Sequence, residues 1–126
     1  MIKPFIIDYV VYPFNLAVFF GRTDEEVFSF LNKRLAKRLT DDDKAMLVLS
    51  GKGRTVMLSS GQTVLRLGHV PKHGDPFLAH EIFHATSFLL NRIGMPLDYA
   101  SEEAYAYLLM HITSEINKHI TKNKKR

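Results

Sequence analysis

Cysteine is absent from the 126 residues of this chain, and its absence narrows the chemistry that the protein can perform. Disulfide bonds and thiolate ligands are excluded, so a bound metal ion must be held by histidine, aspartate or glutamate. The absence of cysteine is also consistent with a reducing compartment, and we expect a cytoplasmic protein.

The sequence also lacks the run of about 18 uninterrupted apolar residues that a membrane-spanning helix requires. Its opening segment, MIKPFIIDYVVYPFNLAVFF, is apolar, but Asp8, Pro13 and Asn15 interrupt it and no small-residue cleavage site follows. This argues against a signal peptide. A hydrophobic content of 46% suffices for one core, so we expect a single domain with no membrane partner.

Basic residues are concentrated at the end of the chain. The formal net charge is +4, but the last nine residues contain five cations, so the preceding part carries a net charge of −1. Such a tail is typical of a solubilising chain end, with a phosphate-binding arm as the alternative. It is not a nucleic-acid-binding face, so no nucleic-acid partner is expected. We assign residues 1–120 to one domain and residues 121–126 to a basic C-terminal tail.

The first half of the chain predicts strands, one helix and a small sheet. β-branched and aromatic residues flank Pro13, which predicts two strands or one strand broken at the proline. Thr23 and Glu26 form a capping box, so a helix is expected over residues 23–39. Three β-prone runs separated by glycines predict an antiparallel meander: AMLVLS, RTVMLSS and QTVLRLGHV.

Two further helices are predicted in the second half. Asp75 as the N-cap, Pro76 at the first helical position and Gly94 as the stop delimit a helix of about 18 residues. Apolar residues surround this helix on nearly all sides, so it is expected to run through the core. A last helix, over about residues 99–120, has an apolar stripe at helical spacing: Tyr105, Leu108, Leu109, Ile112, Ile116 and Ile120.

The first of these two helices contains the segment HEIFH, residues 80–84. Residues four apart on a helix share one face about 6 Å apart, so His80 and His84 can direct ring nitrogens to one ion. Glu81 lies beside that face, where a carboxylate can accept a proton from a zinc-bound water. The alternative is a pair of buried histidines, but this leaves a buried carboxylate without a cationic partner.

HEIFH resembles the HExxH signature of the zincin metallopeptidases. The glycine and third histidine that extend the motif in metzincins are missing from HATSFLLNRIG. Gluzincins instead take a third ligand from a glutamate on the next helix, and YASEEAYAYLLMHI offers Glu102 and Glu103, the latter 19 residues after His84. The resemblance covers roughly residues 63–116, and size and layout are similar to small single-domain metallopeptidases encoded by phages.

Helix geometry and the resemblance favour different glutamates as the third ligand. A helical wheel puts Glu102 about 50° from the centre of the apolar stripe and Glu103 nearly opposite it. In gluzincins, where both faces of this helix are buried, a small residue follows the ligand, with apolar residues two, five, six and nine positions on, as after Glu103. The resemblance therefore implies Glu103, with Glu102 as the alternative; either could instead be a first-turn acid that complements the helix dipole.

Several further side chains are candidates by type or position. Tyr107, four residues after Glu103, occupies the place of an acidic partner in related enzymes, and could hydrogen-bond a zinc histidine or be a core aromatic. We expect His119 to be exposed. An oxyanion could be stabilised by any of five residues that spacing does not distinguish: Tyr99, Tyr105, His111, His69 and His73.

The strand TVLRLGHV precedes the motif helix, as the substrate-binding edge strand does in zincins. If this strand is an edge, an extended peptide could add to it as a further strand and lie across the metal. Proline at Val64 and Leu67 would then prevent that pairing.

Together these features predict an α+β domain of the zincin type: a small, mostly antiparallel sheet, a packing helix, the HExxH helix and the glutamate helix. The resemblance implies a zinc-dependent metallopeptidase, a hydrolase of peptide or protein substrates. It implies one Zn²⁺ per chain held by His80, His84 and Glu103, with Glu81 as the catalytic general base.

Two alternatives remain. One is a non-catalytic zinc-binding regulatory or interaction protein, in which a side chain such as His111 fills the fourth position on the metal. The other is a metal-free protein with histidines in its core. A domain of this size leaves room only for a shallow cleft, so a peptidase could require a partner protein.

Overall fold

The computed structural model describes residues 2–10 and 12–124, with side chains to residue 123. Within that part of the chain, two strands, two helices, two strands and two helices follow one another, and their mixed sheet confirms the α+β class. The strands are β1 (Phe5–Asp8), β2 (Asn15–Phe20), β3 (Gly53–Met57) and β4 (Thr63–Leu67). The helices are α1 (Asp24–Arg34), α2 (Asp41–Leu47), α3 (Pro76–Arg92) and α4 (Glu102–Lys124).

The four strands form one mixed sheet in the order β1-β2-β4-β3. Of the three pairings among the described residues, β1 with β2 and β3 with β4 are antiparallel, while β2 and β4 are parallel. β4 therefore lies between two strands, and all five of its residues are buried. The prediction that TVLRLGHV could form an edge is wrong, because β3 occupies that edge.

Two helical layers cover the sheet. Alternate side chains of β2 enter different cores, as the period of two in a strand requires. Leu16, Val18 and Phe20 pack on the side of α3 and α4, whereas Ala17 and Phe19 pack on the side of α1. The sheet is therefore the middle of three layers, and α3 lies directly on it.

Local signals decided most of the element boundaries. The opening segment forms two strands, and the capping box of Thr23 and Glu26 begins α1, which confirms both predictions; α1 ends at Arg34, five residues early. The prediction of a strand at AMLVLS is wrong. Its first three residues belong to α2, which begins at a second capping box, between Thr40 and Asp43. RTVMLSS and QTVLRLGHV do contain β3 and β4.

Of the two C-terminal helices, α3 follows its predicted bounds closely, whereas α4, expected over about residues 99–120, begins at Glu102 and ends at Lys124. Asp75 caps α3, Pro76 begins it, and Gly94 follows its end with a φ of 82°, a conformation that glycine adopts readily. α4 continues to Lys124, so residues 121–124 of the predicted tail are helical, and residues 125–126 lie outside the described part. Among the described helices, none is long and apolar enough to cross a membrane.

Candidate metal centre

His80 and His84 lie one turn apart on α3, and both are exposed. Their Nε2 atoms are 3.1 Å apart, and the two rings are inclined at 76°. Two nitrogen ligands bound tetrahedrally to one zinc ion, each at about 2.05 Å, would be separated by about 3.3 Å. The observed separation is close to that value, and it also fits a hydrogen bond between one neutral ring and the other.

The exposure of the histidine pair excludes a core role. α3 buries a single face against the sheet and α4, so the prediction that it runs through the core is wrong. Phe77 and Phe83 remain 46% and 42% exposed on the other side. The alternative of two core histidines is therefore also wrong, because both rings lie on the exposed side.

Glu81 points inward, in contrast to the two histidines. It is only 6% exposed, and its Oε1 accepts a hydrogen bond of 2.8 Å from the hydroxyl of Thr55 on β3. Within the described residues, no donor reaches the second carboxylate oxygen, Oε2, and no cationic side chain forms an ion pair with this group. Oε2 is not among the described buried polar atoms that lack a partner, so this oxygen keeps contact with solvent although most of the side chain is buried.

A hollow of about 490 Å³ lies between the first turns of α3 and the edge strand β3. Both His80 and Glu81 line it, so a ligand in the hollow can reach an imidazole and the carboxylate together. The remaining lining residues are Lys52, Gly53, Pro76 and Phe77.

Gly53 permits the close approach of α3 to β3. A Cβ atom at this position would lie 3.1 Å from Glu81 Cγ and 2.6 Å from Leu67 Cδ2, closer than van der Waals contact allows. Since Leu67 is fully buried, it has little room to move. A side chain at position 53 would therefore push the strand away from the carboxylate.

Neither of the two candidate third ligands forms a metal-binding group with the histidine pair in this structure. Glu102 and Glu103 form the first turn of α4 and are exposed. Among the described residues, no group of three histidine, aspartate or glutamate side chains could hold a metal ion. α4 buries one face and leaves Tyr107 64% exposed, so the helical wheel describes it better than a helix buried on both faces.

The other candidates by type are mostly engaged elsewhere. Tyr105 is buried and donates to the carbonyl of Met95 at 3.0 Å, while Tyr99 is fully exposed on a loop. Tyr107 is not a core aromatic. The Nε2 of His111 lies 2.9 Å from the carbonyl oxygen of Asp8, which ties this ring to β1.

Two more histidines make contacts near the C-terminal end of α4. His73 lies 3.2 Å from the hydroxyl of Thr121. His119, which we expected to be exposed, stacks on Phe5 with the ring centroids 3.7 Å apart. Burial lowers the pKa of His119, and the positive charge of Lys122 adds to this effect.

His69 is the oxyanion candidate that adjoins the hollow. Its Nε2 lies 2.7 Å from Oδ2 of Asp75, and the pair lines a second hollow that shares Lys52, Pro76 and Phe77 with the first. Burial alone would raise the pKa of the Asp75 carboxyl. Hydrogen bonds from His69 and from the amides of the first turn of α3 outweigh burial and hold that pKa below its usual range.

Sequence reasoning missed Thr55 and Gly53. The alternation of a strand places both on one side of β3, which was a usable signal. The helix that this side contacts is set by the order of strands in the sheet, which no local pattern reveals.

Comparison of the chain with models of known protein families, with curated proteins and with solved structures found no match. The resemblance to the zincins therefore rests on HEIFH and on the residues that follow it.

Proposed function

We propose that this protein is a zinc-dependent metallopeptidase of the gluzincin type. The observation that carries the proposal is the pair of exposed imidazoles, with Nε2 atoms 3.1 Å apart, next to the buried and sparsely hydrogen-bonded carboxylate of Glu81. A structural histidine pair has no need of such a carboxylate, whereas metal-assisted hydrolysis needs both groups.

The chemistry of the donors suits zinc. In this proposal His80 and His84 are two ligands, and the exposed carboxylate of Glu103 is the third, with Glu102 as the alternative. The described residues form no three-ligand group, so the first turn of α4 would have to move toward the histidine pair to complete the site. Bound there, the ion would lower the pKa of a coordinated water and polarise the carbonyl of the scissile bond.

Glu81 supplies the proton transfers. Its carboxylate accepts a proton from the attacking water and then delivers it to the amine that leaves. The position of Glu81 in the same hollow as His80 supports this role, because a general base must lie within hydrogen-bonding reach of the water it activates.

A peptide substrate has a natural place beside this hollow. In the described part of the sheet β3 is an edge, and its residues Gly53 and Thr55 adjoin Glu81. An extended peptide that paired with this edge would lie alongside His80 and Glu81, which line the same hollow as Gly53. The substrate-binding strand in this proposal is thus β3 and not the strand that follows it in the sequence.

Metal content tests the site directly. We expect one zinc per chain, by elemental analysis, in protein purified without added metal, and its loss from His80→Ala. The matched control is His73→Ala, which removes an exposed imidazole outside the hollow and should retain the zinc. Zinc-free wild-type protein that takes up none on titration would contradict the proposal.

Substitution of each glutamate identifies the third ligand. Glu103→Gln should weaken zinc binding about tenfold or more, because even the loss of an outer-shell partner of a ligand costs about 10- to 100-fold, while Glu102→Gln should leave the affinity unchanged. The reverse result would assign Glu102, and no change in either variant would exclude both.

A non-catalytic zinc-binding regulatory or interaction protein is the second candidate. It is favoured by the convergence of two ligands, without a third, in the described residues, because a partner chain could then complete the coordination. Cleavage of an unbiased peptide library by the zinc-loaded protein, lost with a chelator and restored by zinc, would decide for the peptidase. A zinc-loaded protein that cleaves no peptide would decide for the second candidate.

A further inference from the structure

We infer that Thr55 is a positioning residue that holds the Glu81 carboxylate through Oε1 and leaves Oε2 for the proton transfers. The inference rests on the proposed function, because it concerns the orientation of the proposed general base. Among the side-chain hydrogen bonds of the described residues, the Thr55 hydroxyl contacts only Glu81, so Thr55 acts through Glu81.

Two contacts join Thr55 to Glu81. The hydroxyl oxygen lies 2.8 Å from Oε1 and 3.1 Å from the main-chain carbonyl oxygen of Glu81. A threonine hydroxyl carries one proton, so it donates to one of these acceptors at a time. The shorter contact, to an ionised acceptor, is the stronger one, and it fixes one end of an otherwise flexible side chain.

The edge strand shapes the space around the carboxylate at two successive inward positions. Thr55 offers a hydroxyl, and Gly53 offers no side chain, which leaves room for Glu81 Cγ. Val56, the next residue on β3, points to the other face of the sheet and packs into the opposite core. The same strand therefore anchors the carboxylate and leaves it room on the side of the hollow.

A purely structural role for Thr55 makes different predictions. A hydrogen bond that only ties β3 to α3 would contribute to stability, and its removal would lower activity no more than it lowers the folded fraction. A positioning role lowers turnover in fully folded, zinc-loaded protein, because a misplaced base loses much of its effect.

Thr55→Val and Thr55→Ser separate these roles. Valine matches the shape of threonine without the hydroxyl, and serine retains the hydroxyl. We expect Thr55→Val to keep the zinc affinity and KM within about twofold and to lower kcat by about tenfold or more, while Thr55→Ser recovers most of the loss. Thr63 is a buried threonine on β4, so Thr63→Val controls for the loss of a buried hydroxyl from the sheet.

Crystal structures of the zinc-loaded variants give a readout that does not depend on activity. The Glu81 carboxylate should leave its wild-type position in Thr55→Val and keep it in Thr55→Ser. An unchanged carboxylate in Thr55→Val, or a kcat equal to that of the wild type, would overturn the positioning role. Equal losses in the valine and serine variants would overturn it as well, since strand packing would then be the cause.

The failure of the proposed function has a separate signature. Zinc-loaded wild-type protein that cleaves no peptide would contradict the peptidase function, and there would be no kcat to compare between the variants. In that case the positioning inference falls with the function, whatever the crystal structures show of the hydrogen bond itself.

Discussion

Two carboxylates are buried on opposite sides of the sheet, and they differ in the number of hydrogen bonds that they accept. Asp43, at the start of α2, is 3% exposed, and Glu81, on α3, is 6% exposed. Asp43 accepts three hydrogen bonds, from the amide and the hydroxyl of Ser59 and from the amide of Thr40. Within the described part of the chain, the Glu81 carboxylate accepts one, from the hydroxyl of Thr55.

The difference separates a carboxylate that stabilises the fold from one that is available for chemistry. Burial would raise the pKa of the Asp43 carboxyl, but its hydrogen bonds from Ser59 and Thr40 outweigh burial and hold the pKa below the usual range. The two bonds from Ser59 join α2 to the turn between β3 and β4. Among the described residues the Glu81 carboxylate accepts only the hydrogen bond from Thr55, so its second oxygen is left free to accept a proton.

The largest expected effect concerns Glu81. Glu81→Gln should lower kcat by about 10²- to 10⁴-fold, the usual contribution of a general base, with zinc still bound. The free energy of unfolding should change little or rise, because a neutral amide is easier to bury than a charge. Peptide cleavage, metal analysis and urea unfolding measure these three quantities.

Asp43→Asn is the control for that experiment, and it should keep its activity. Substantial turnover in Glu81→Gln would show that this carboxylate is not the base. Equal losses of turnover in the two variants would remove the distinction between the buried carboxylates.

The next effect concerns stability: Asp43→Asn should lower stability and keep activity, whereas Glu81→Gln should lower activity and keep stability. Asp43→Asn should lower the free energy of unfolding by about 1–3 kcal/mol, since its amide group cannot accept all three hydrogen bonds and leaves buried donors unsatisfied. Urea unfolding followed by circular dichroism measures this difference. A variant as stable as the wild type would show that the Asp43 network is not needed for the fold.

The smallest effect is a pH dependence of stability. Because the pKa of Asp43 is lower in the folded protein than in the unfolded chain, its stabilisation is complete above the unfolded value, about 3.9, and is lost as the pH falls through the folded value. Urea midpoints between pH 7 and pH 3 should therefore fall more steeply in the wild type than in Asp43→Asn. Asp75 titrates similarly but is present in both proteins, so parallel curves would contradict the role of Asp43.

Local patterns predicted much of the fold. The capping box at Thr23, the Asp75-Pro76 start of α3 and the alternating strand residues depend on neighbours a few positions away, so the sequence displays them directly. Thr40 and Asp43 form the same kind of signal, but the β-prone residues after them indicate a strand. A capping box satisfies orphan amides of the first turn, and here it outweighed the weak preference for a strand.

Some parts of the candidate site were predictable from the sequence and others were not. The spacing of His80 and His84 indicated that their rings meet, and they do. The resemblance implied Glu103 as a third ligand, which stays a prediction. Thr55 could not be predicted, because it is 26 residues from Glu81 in the chain and the contact depends on which strand lies beside α3.

The sequence by itself determined the helix that carries HEIFH, its ends and the meeting of its two histidines, because helical periodicity relates residues three and four positions apart. The tertiary structure decided that β4 enters the middle of the sheet, that β3 becomes the edge, and that Glu81 is buried against it. Strand order depends on contacts between distant segments, and these are selected by how well the two helical layers cover the sheet.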